Sequence, residues 1–146
     1  KIEIGTPEYA ELKRRFGWEW NGMKLHELYF NNISKEIKVI NENSAIYRTI
    51  TEIFGSYEKW EKDFRATGAM RGIGWAVLVY DKNEERLFNV WINEHNVGHL
   101  LGLTPLLVMD VFEHAFILDY GLARAEYIDA FMDAIDWDEV EKRLTR

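Results

Sequence analysis

The pattern of hydrophobic and polar positions changes period near the middle of the chain. Thr6-Pro7-Glu8 has the composition of a helix start, with a capping hydroxyl, a proline in the first turn and an acid. We expect helix from there to about Ile33, interrupted at most at Gly17, and irregular structure over residues 34–44. Two shorter helices should follow, one between Ser44 and Gly55 and one over residues 57–70.

The second half of the chain begins with strand-like runs. GWAVLVY (74–80) and RLFNVWI (86–92) flank the turn sequence DKNEE, and LTPLLVMD (103–110) is a third apolar run that predicts a buried strand. Helix is expected from about Phe112, followed by helices over 124–135 and 136–146. The order of helices, three strands and helices indicates an α+β fold with a small antiparallel sheet flanked by helices.

Composition excludes several classes of partner and site. The net charge of −7 argues against nucleic acid or an anionic membrane surface as partner, and no apolar run reaches membrane-spanning length. The absence of cysteine excludes disulfides and thiolate metal sites. We expect no nucleic-acid or membrane partner, and nothing in the sequence argues against a cytoplasmic location.

The segment MDVFEHAF (109–116) places three ionisable residues directly after an apolar strand. Asp110 ends the strand and His114 follows four residues later, in the expected first turn of a helix, so the two side chains can converge. Burying such groups is costly unless they are paired or bind a metal. The structural alternatives are a helix cap for Asp110 and a first-turn acid for Glu113.

His26 is the third candidate ligand. It lies in the middle of the first helix, and we expect it to be buried because its neighbours on the same face are mostly apolar: Gly22, Met23, Tyr29 and Phe30. Two imidazoles and one carboxylate suit iron or manganese, although zinc also accepts them. A core histidine with one hydrogen bond is the alternative, and the residues alone leave both interpretations open.

Longer segments resemble the C-terminal half of iron/manganese superoxide dismutases. The family signature D-x-W-E-H-A-Y corresponds here to D-V-F-E-H-A-F at 110–116, within TPLLVMDVFEHAFILDYGLARAEYIDAFMDAIDWDEV. The segment FGSYEKWEKDF is similar to the family's helix before the sheet, and NGMKLHELYFNNI to its second long helix. Three further residues match in order and spacing: Arg124, Tyr127 and Trp137.

The resemblance implies a site with one iron or manganese ion per chain. His26, Asp110 and His114 match metal ligands of the family. His95 lies in the loop that supplies a hydrogen bond to metal-bound solvent, with a solvated loop residue as the alternative, whereas His99 matches no role. The residues that match the aromatic wall of the site are Trp75, Phe112, Phe30 and Tyr29.

The same resemblance implies an assembly and a substrate path. Glu113 matches a glutamate that crosses the family's dimer interface to the partner's ligand histidine, so we expect a homodimer or homotetramer. Arg124 matches an arginine near the entrance for superoxide, and Lys24 is a weaker candidate for that role. Ile117 replaces a common tyrosine, which puts the usual interface hydrogen bonds in doubt.

A fourth family ligand, a histidine followed by a gateway tyrosine, belongs to a first helix that we do not find in this sequence. We therefore expect a fragment of a longer protein, with a partial helical hairpin domain at 1–40 and an α/β metal-binding domain at 41–146. The implied activity is disproportionation of superoxide to dioxygen and hydrogen peroxide. The alternatives are a catalytically incomplete structural or interaction domain, and an oxygenase, for which the aromatic packing leaves little room.

Overall fold

The computed structural model describes residues 2–145 and confirms the predicted α+β order. The elements are α1 (Pro7–Asn31), α2 (Ala45–Phe54), α3 (Tyr57–Gly68), β1 (Gly74–Asp81), β2 (Arg86–Asn93), β3 (Thr104–Asp110), a 3-10 turn (Glu113–Ala115), α4 (Ile117–Tyr120), α5 (Arg124–Asp133) and α6 (Trp137–Leu144). Within the described range, no helix combines the length and the hydropathy that crossing a membrane requires. The predicted division into domains at residue 40 stays a prediction.

Local capping determines where the first three helices begin. The side chains of Thr6, Ser44 and Ser56 each accept a hydrogen bond from a backbone N–H in the first turn of the helix that follows. These bonds satisfy N–H groups that have no partner inside the helix. Gly55 ends α2 with a φ of 83°, a conformation that glycine adopts without steric cost. The first helix runs through Gly17 without a break.

The three strands form an antiparallel sheet in the order β2-β1-β3. Strand β1 is paired along both edges and helices cover both of its faces, so Gly74 to Val79 are buried. Trp75 lies directly opposite Asp110 of β3 and opposite Ile92 of β2. The register therefore places a tryptophan beside the carboxylate that ends β3.

Alternation along β1 divides the core into two clusters. Ala76 and Leu78 face helices α2, α3, α5 and α6, whereas Trp75, Val77 and Val79 face α1. Leu25 of α1 belongs to this second cluster. The first helix thus packs on the same face of the sheet as Trp75.

The segment after β3 differs from the prediction. Helix was expected from about Phe112, but Phe112 is extended, a 3-10 turn follows, and regular helix begins only at Ile117. Oδ1 of Asp110 accepts a hydrogen bond of 2.9 Å from the N–H of Phe112. This local bond between side chain and backbone competes with helix formation, and it places His114 in the 3-10 turn.

Candidate metal centre

Three elements bring His26, Asp110 and His114 together. Their ligand atoms all lie within 4.8 Å of one another. Nε2 of His114 is 3.0 Å from Oδ2 of Asp110, and Nε2 of His26 is 3.6 Å from the same oxygen. The structure therefore groups the three side chains that the sequence predicts as ligands, from α1, the end of β3 and the following turn.

Asp110 is buried, and its two carboxylate oxygens have different partners. Oδ1 accepts from the N–H of Phe112, as a capping side chain would, while Oδ2 faces the two imidazoles. Burial raises the pKa of Asp110 above its ordinary value, and the Phe112 N–H and the imidazoles act in the opposite direction. The capping and ligand interpretations of Asp110 are thus compatible, since each uses a different oxygen.

His26 is held in one tautomer by its own helix. Its Nδ1 lies 2.6 Å from the carbonyl oxygen of Gly22, so Nδ1 carries the proton and donates. The lone pair of the neutral ring is then on Nε2, which faces Asp110. The expectation that His26 is buried is wrong, because its side chain is 35% exposed. Met23 and Phe30, which were expected to cover it, are themselves exposed.

His114 is the most exposed of the three, with 57% of its side chain accessible. Its ring lies parallel to that of Phe112, with centroids 5.1 Å apart, which limits its rotation. Among residues 2–145, no side chain or carbonyl forms a hydrogen bond with Nδ1 of His114. The ring is thus oriented by stacking and by Asp110.

His95 approaches the same cluster from the loop after β2. It is 6% exposed, so the alternative of a solvated loop residue is wrong. Its Nδ1 accepts a hydrogen bond of 3.0 Å from the indole N–H of Trp75, and its ring centroid is 6.0 Å from that of His26. Burial lowers the pKa of His95, and the nearby imidazoles of His26 and His114 lower it further.

Gly22 and Trp18 complete the surroundings of His95, and the sequence did not indicate either role. A Cβ at Gly22 would lie 3.1 Å from Cδ2 of His95, so a residue without a side chain lets the ring approach α1. Trp18 contacts His95 edge to face at 4.4 Å, and its N–H donates to Glu94 at 2.7 Å. His99 donates to the carbonyl oxygen of His95, a structural contact.

The predicted aromatic wall is only partly closed in the structure. Trp75 is fully buried and meets His26 edge to face at 4.8 Å. The hydroxyl of Tyr29 is 3.2 Å from the hydroxyl of Tyr127. The Tyr127 hydroxyl donates a hydrogen bond of 2.6 Å to the carbonyl oxygen of Asp110. Phe30 is 63% exposed and covers His26 from one side only. The resemblance singled out Tyr127, but its contacts with Tyr29 and with the backbone of Asp110 follow only from the structure.

Glu113 is the first residue of the 3-10 turn, and Arg124 is the first residue of α5. Arg124 donates to the carbonyl oxygen of Gly72 at 3.1 Å and lies over the rings of Trp91 and Phe116. Its Nε and Nη2 are buried and without a hydrogen-bond partner among the described residues. Burial lowers the pKa of Arg124, against the effect of Glu113. Their predicted entrance and interface roles stay predictions.

Comparison with known proteins gives a consistent assignment. Residues 42–143 match the family model described as iron/manganese superoxide dismutases, C-terminal domain. The chain is 42% identical over 123 residues to "Superoxide dismutase [Mn] 2" of Haloferax volcanii, which is 84% of this chain and 61% of that relative. It is 38% identical over 146 residues to "Superoxide dismutase [Fe]" of Aquifex pyrophilus, which is 100% of this chain and 68% of the relative.

A third relative, "Superoxide dismutase [Fe]" of Pyrobaculum aerophilum, is 36% identical over 135 residues, 91% of this chain and 64% of that protein. The chain spans 60 to 61% of the length of three of the relatives that it matches. The family that the motifs predicted is confirmed by these matches. The chain belongs to the iron/manganese superoxide dismutase family.

Proposed function

We propose that the protein disproportionates superoxide to dioxygen and hydrogen peroxide at one iron or manganese ion, held by His26, Asp110 and His114. The observation that carries the proposal is the convergence of three donor atoms within 4.8 Å of one another. Two imidazoles and a carboxylate are a donor set that suits redox-active iron or manganese. The names of the relatives include both metals, so both are candidates.

The residues prepare the site before any metal binds. The carbonyl oxygen of Gly22 holds His26 with its Nε2 lone pair toward Asp110, and outer contacts of this kind orient metal-binding histidines. Metal binding requires the neutral form of each imidazole and the ionised form of the carboxylate, so these ligands together carry one negative charge, which a cation offsets. When bound, the metal ion supplies one-electron chemistry by alternating between divalent and trivalent states.

We assign His95 the catalytic role of a neutral hydrogen-bond donor in the site. Its lowered pKa favours the uncharged ring at neutral pH. Because Nδ1 accepts from Trp75, the uncharged ring carries its proton on Nε2. A Cβ at Gly22 would lie 3.3 Å from this nitrogen, so Nε2 is on the α1 side of the ring. From there it can donate to solvent or to the substrate anion.

The proposal also includes how superoxide reaches the site and how the chains associate. The net charge of −7 opposes approach of an anion, so local positive charge is required, and Arg124 is our candidate for it. We also propose that Glu113 of a second copy accepts a hydrogen bond from Nδ1 of His114 across a homodimer or homotetramer interface. Exposure of both side chains supports this role. A cytoplasmic location belongs to the same proposal.

The test combines elemental analysis with stopped-flow measurement of superoxide decay. We expect about one equivalent of iron or manganese per chain and decay proportional to metal content, by analogy with other mononuclear sites. His114→Ala should lose both metal and activity, whereas the matched variant His99→Ala should keep both. Bound metal without dismutation would support the alternative of a catalytically incomplete domain. An absence of metal would overturn the proposed site.

A further inference from the structure

The buried side chain that caps the C-terminal end of α1 pairs with β3 as a neighbouring strand would. Asn32, at the end of α1, is fully buried. Its Oδ1 accepts from the N–H of Val108 at 2.8 Å, and its Nδ2 donates to the carbonyl oxygen of Val108 at 3.1 Å. Because β3 is an edge strand, these backbone groups point away from β1 and need a partner. The amide thus joins α1 to one residue of β3.

Arg143 of α6 binds the same junction. It is 6% exposed. Its Nη1 donates to Oδ1 of Asn32 at 3.1 Å and to the carbonyl oxygen of Leu106 at 2.9 Å, and its Nη2 donates to the carbonyl oxygen of Leu28 at 3.0 Å. The planar guanidinium fixes the direction of each of these bonds. One side chain therefore holds α1 and β3 at once. We call Asn32 and Arg143 the clasp.

The clasp lies on the same pair of elements as two of the proposed ligands. His26 precedes Asn32 by six residues, about 9 Å along a helix axis. Asp110 follows Val108 by two residues, about 7 Å along a strand. The first helix and β3 therefore touch at two points, at the clasp and where His26 meets Asp110.

We propose that Asn32 and Arg143 are positioning residues for the metal site. The clasp prevents α1 from sliding along β3, and this fixes the distance between Nε2 of His26 and Oδ2 of Asp110. Metal–ligand distances tolerate deviations of only about 0.2 Å, so a small slide changes the site. The inference rests on the proposed ligation by His26 and Asp110.

The test compares clasp variants with a variant that loses stability elsewhere. Asn32→Ala removes the pairing with Val108, and Arg143→Lys keeps the charge but loses the planar fork. Ile50→Ala, in the fully buried core of α2 on the opposite face of the sheet, is the control for lost stability. All are compared as full chains at a temperature where each is fully folded. Lost stability alone does not change the affinity of the folded state for a ligand.

Three measurements decide the outcome. We expect both clasp variants to bind Mn²⁺ about tenfold more weakly than the wild type, as when outer contacts of a metal site are removed. The electron paramagnetic resonance splitting of bound Mn²⁺ should also change, and metal-free crystal structures should show an altered His26–Asp110 distance. Ile50→Ala should match the wild type in all three. Wild-type values for the clasp variants would overturn the inference.

These results are separable from the proposed function. If the wild type binds Mn²⁺ but does not dismutate superoxide, the proposed activity fails and the clasp is still judged from Mn²⁺ affinity. If the wild type binds no Mn²⁺, the proposed ligation fails and the positioning role, which rests on it, is overturned with it. If the wild type binds Mn²⁺ and the clasp variants bind it equally well with an unchanged His26–Asp110 distance, the positioning role alone is overturned.

Discussion

The indole N–H of Trp75 donates a hydrogen bond of 3.0 Å to Nδ1 of His95, and both side chains are buried. Trp75 also lies opposite Asp110 in the register of β1 and β3. Trp75 therefore connects Asp110, its backbone neighbour on β3, to the loop that presents His95. The bond also determines which nitrogen of the neutral imidazole carries the proton.

Replacing Trp75 with Phe should leave Nδ1 of His95 buried without its partner. An unsatisfied buried acceptor costs about 1–3 kcal/mol, and the lost ring volume adds to that. Urea unfolding should show the decrease, and nitrogen NMR should show His95 in a mixture of tautomers. Trp91→Phe is the matched control, since within residues 2–145 the indole nitrogen of this half-buried residue makes no hydrogen bond. Equal losses in the two variants would contradict the prediction.

Two glycines of α1 should respond differently to the same substitution. A Cβ at Gly17 has no atom within 4 Å, so Gly17→Ala should raise the free energy of unfolding by about 0.5–1 kcal/mol. A Cβ at Gly22 would press on His95, which cannot easily yield because Trp75 and the stacked ring of Phe112 hold it. Gly22→Ala should therefore raise the free energy of unfolding by less than Gly17→Ala does, or should lower it. Chemical denaturation of both variants gives the comparison, and equal gains would contradict it.

Most of the fold was predictable because its signals are local. The caps at Ser44 and Ser56, Gly55 at a helix end and the alternation of β1 are each contained in a few consecutive residues. The 3-10 turn was not predictable in this way. The bond from the N–H of Phe112 to Asp110 spans only two residues, but an aspartate at this position is equally typical of a helix cap, so the sequence alone does not distinguish the two.

The candidate site likewise combines residues that the sequence could indicate with contacts that it could not. The resemblance to the family implied His26, Asp110 and His114 as ligands, which the residues alone left open, but no short pattern indicates contacts between distant positions. Asn32 and Val108 are 76 residues apart, and Asn32 and Arg143 are 111 apart. Such pairs form only when helix and strand dock, so a single sequence does not reveal them.

Stability of the metal-free protein should depend on the protonation of His95. Burial lowers its pKa from the ordinary 6.5, so below that pH the unfolded chain binds the proton more readily than the folded one. The contribution of neutral His95 to the free energy of unfolding is fully present above pH 6.5. It is lost as the pH falls through the lowered folded-state pKa. The substitution His95→Gln removes this pH-dependent contribution.

The measurement is the difference in unfolding free energy between the wild type and His95→Gln as a function of pH. It should be constant well above the ordinary pKa of 6.5 and should shift against the wild type as the pH falls below that value. The raised pKa of Asp110 acts with the opposite sign, adding stability as its carboxylate is protonated. Asp110 is present in both proteins, so the comparison largely removes its effect. A difference that does not vary with pH would contradict the assignment to His95.

Asp110 should destabilise the metal-free protein at neutral pH. The same residue should be required for tight binding of the metal. Its pKa is raised chiefly by burial, so the folded state disfavours the charged carboxylate. Asp110→Asn keeps an oxygen for the Phe112 N–H but removes the charge. We expect higher stability in urea with a chelator present, and Mn²⁺ affinity reduced more than about tenfold. Asp119→Asn, at an exposed position, should change neither. Lower stability of metal-free Asp110→Asn would instead show that the two imidazoles already offset the buried charge.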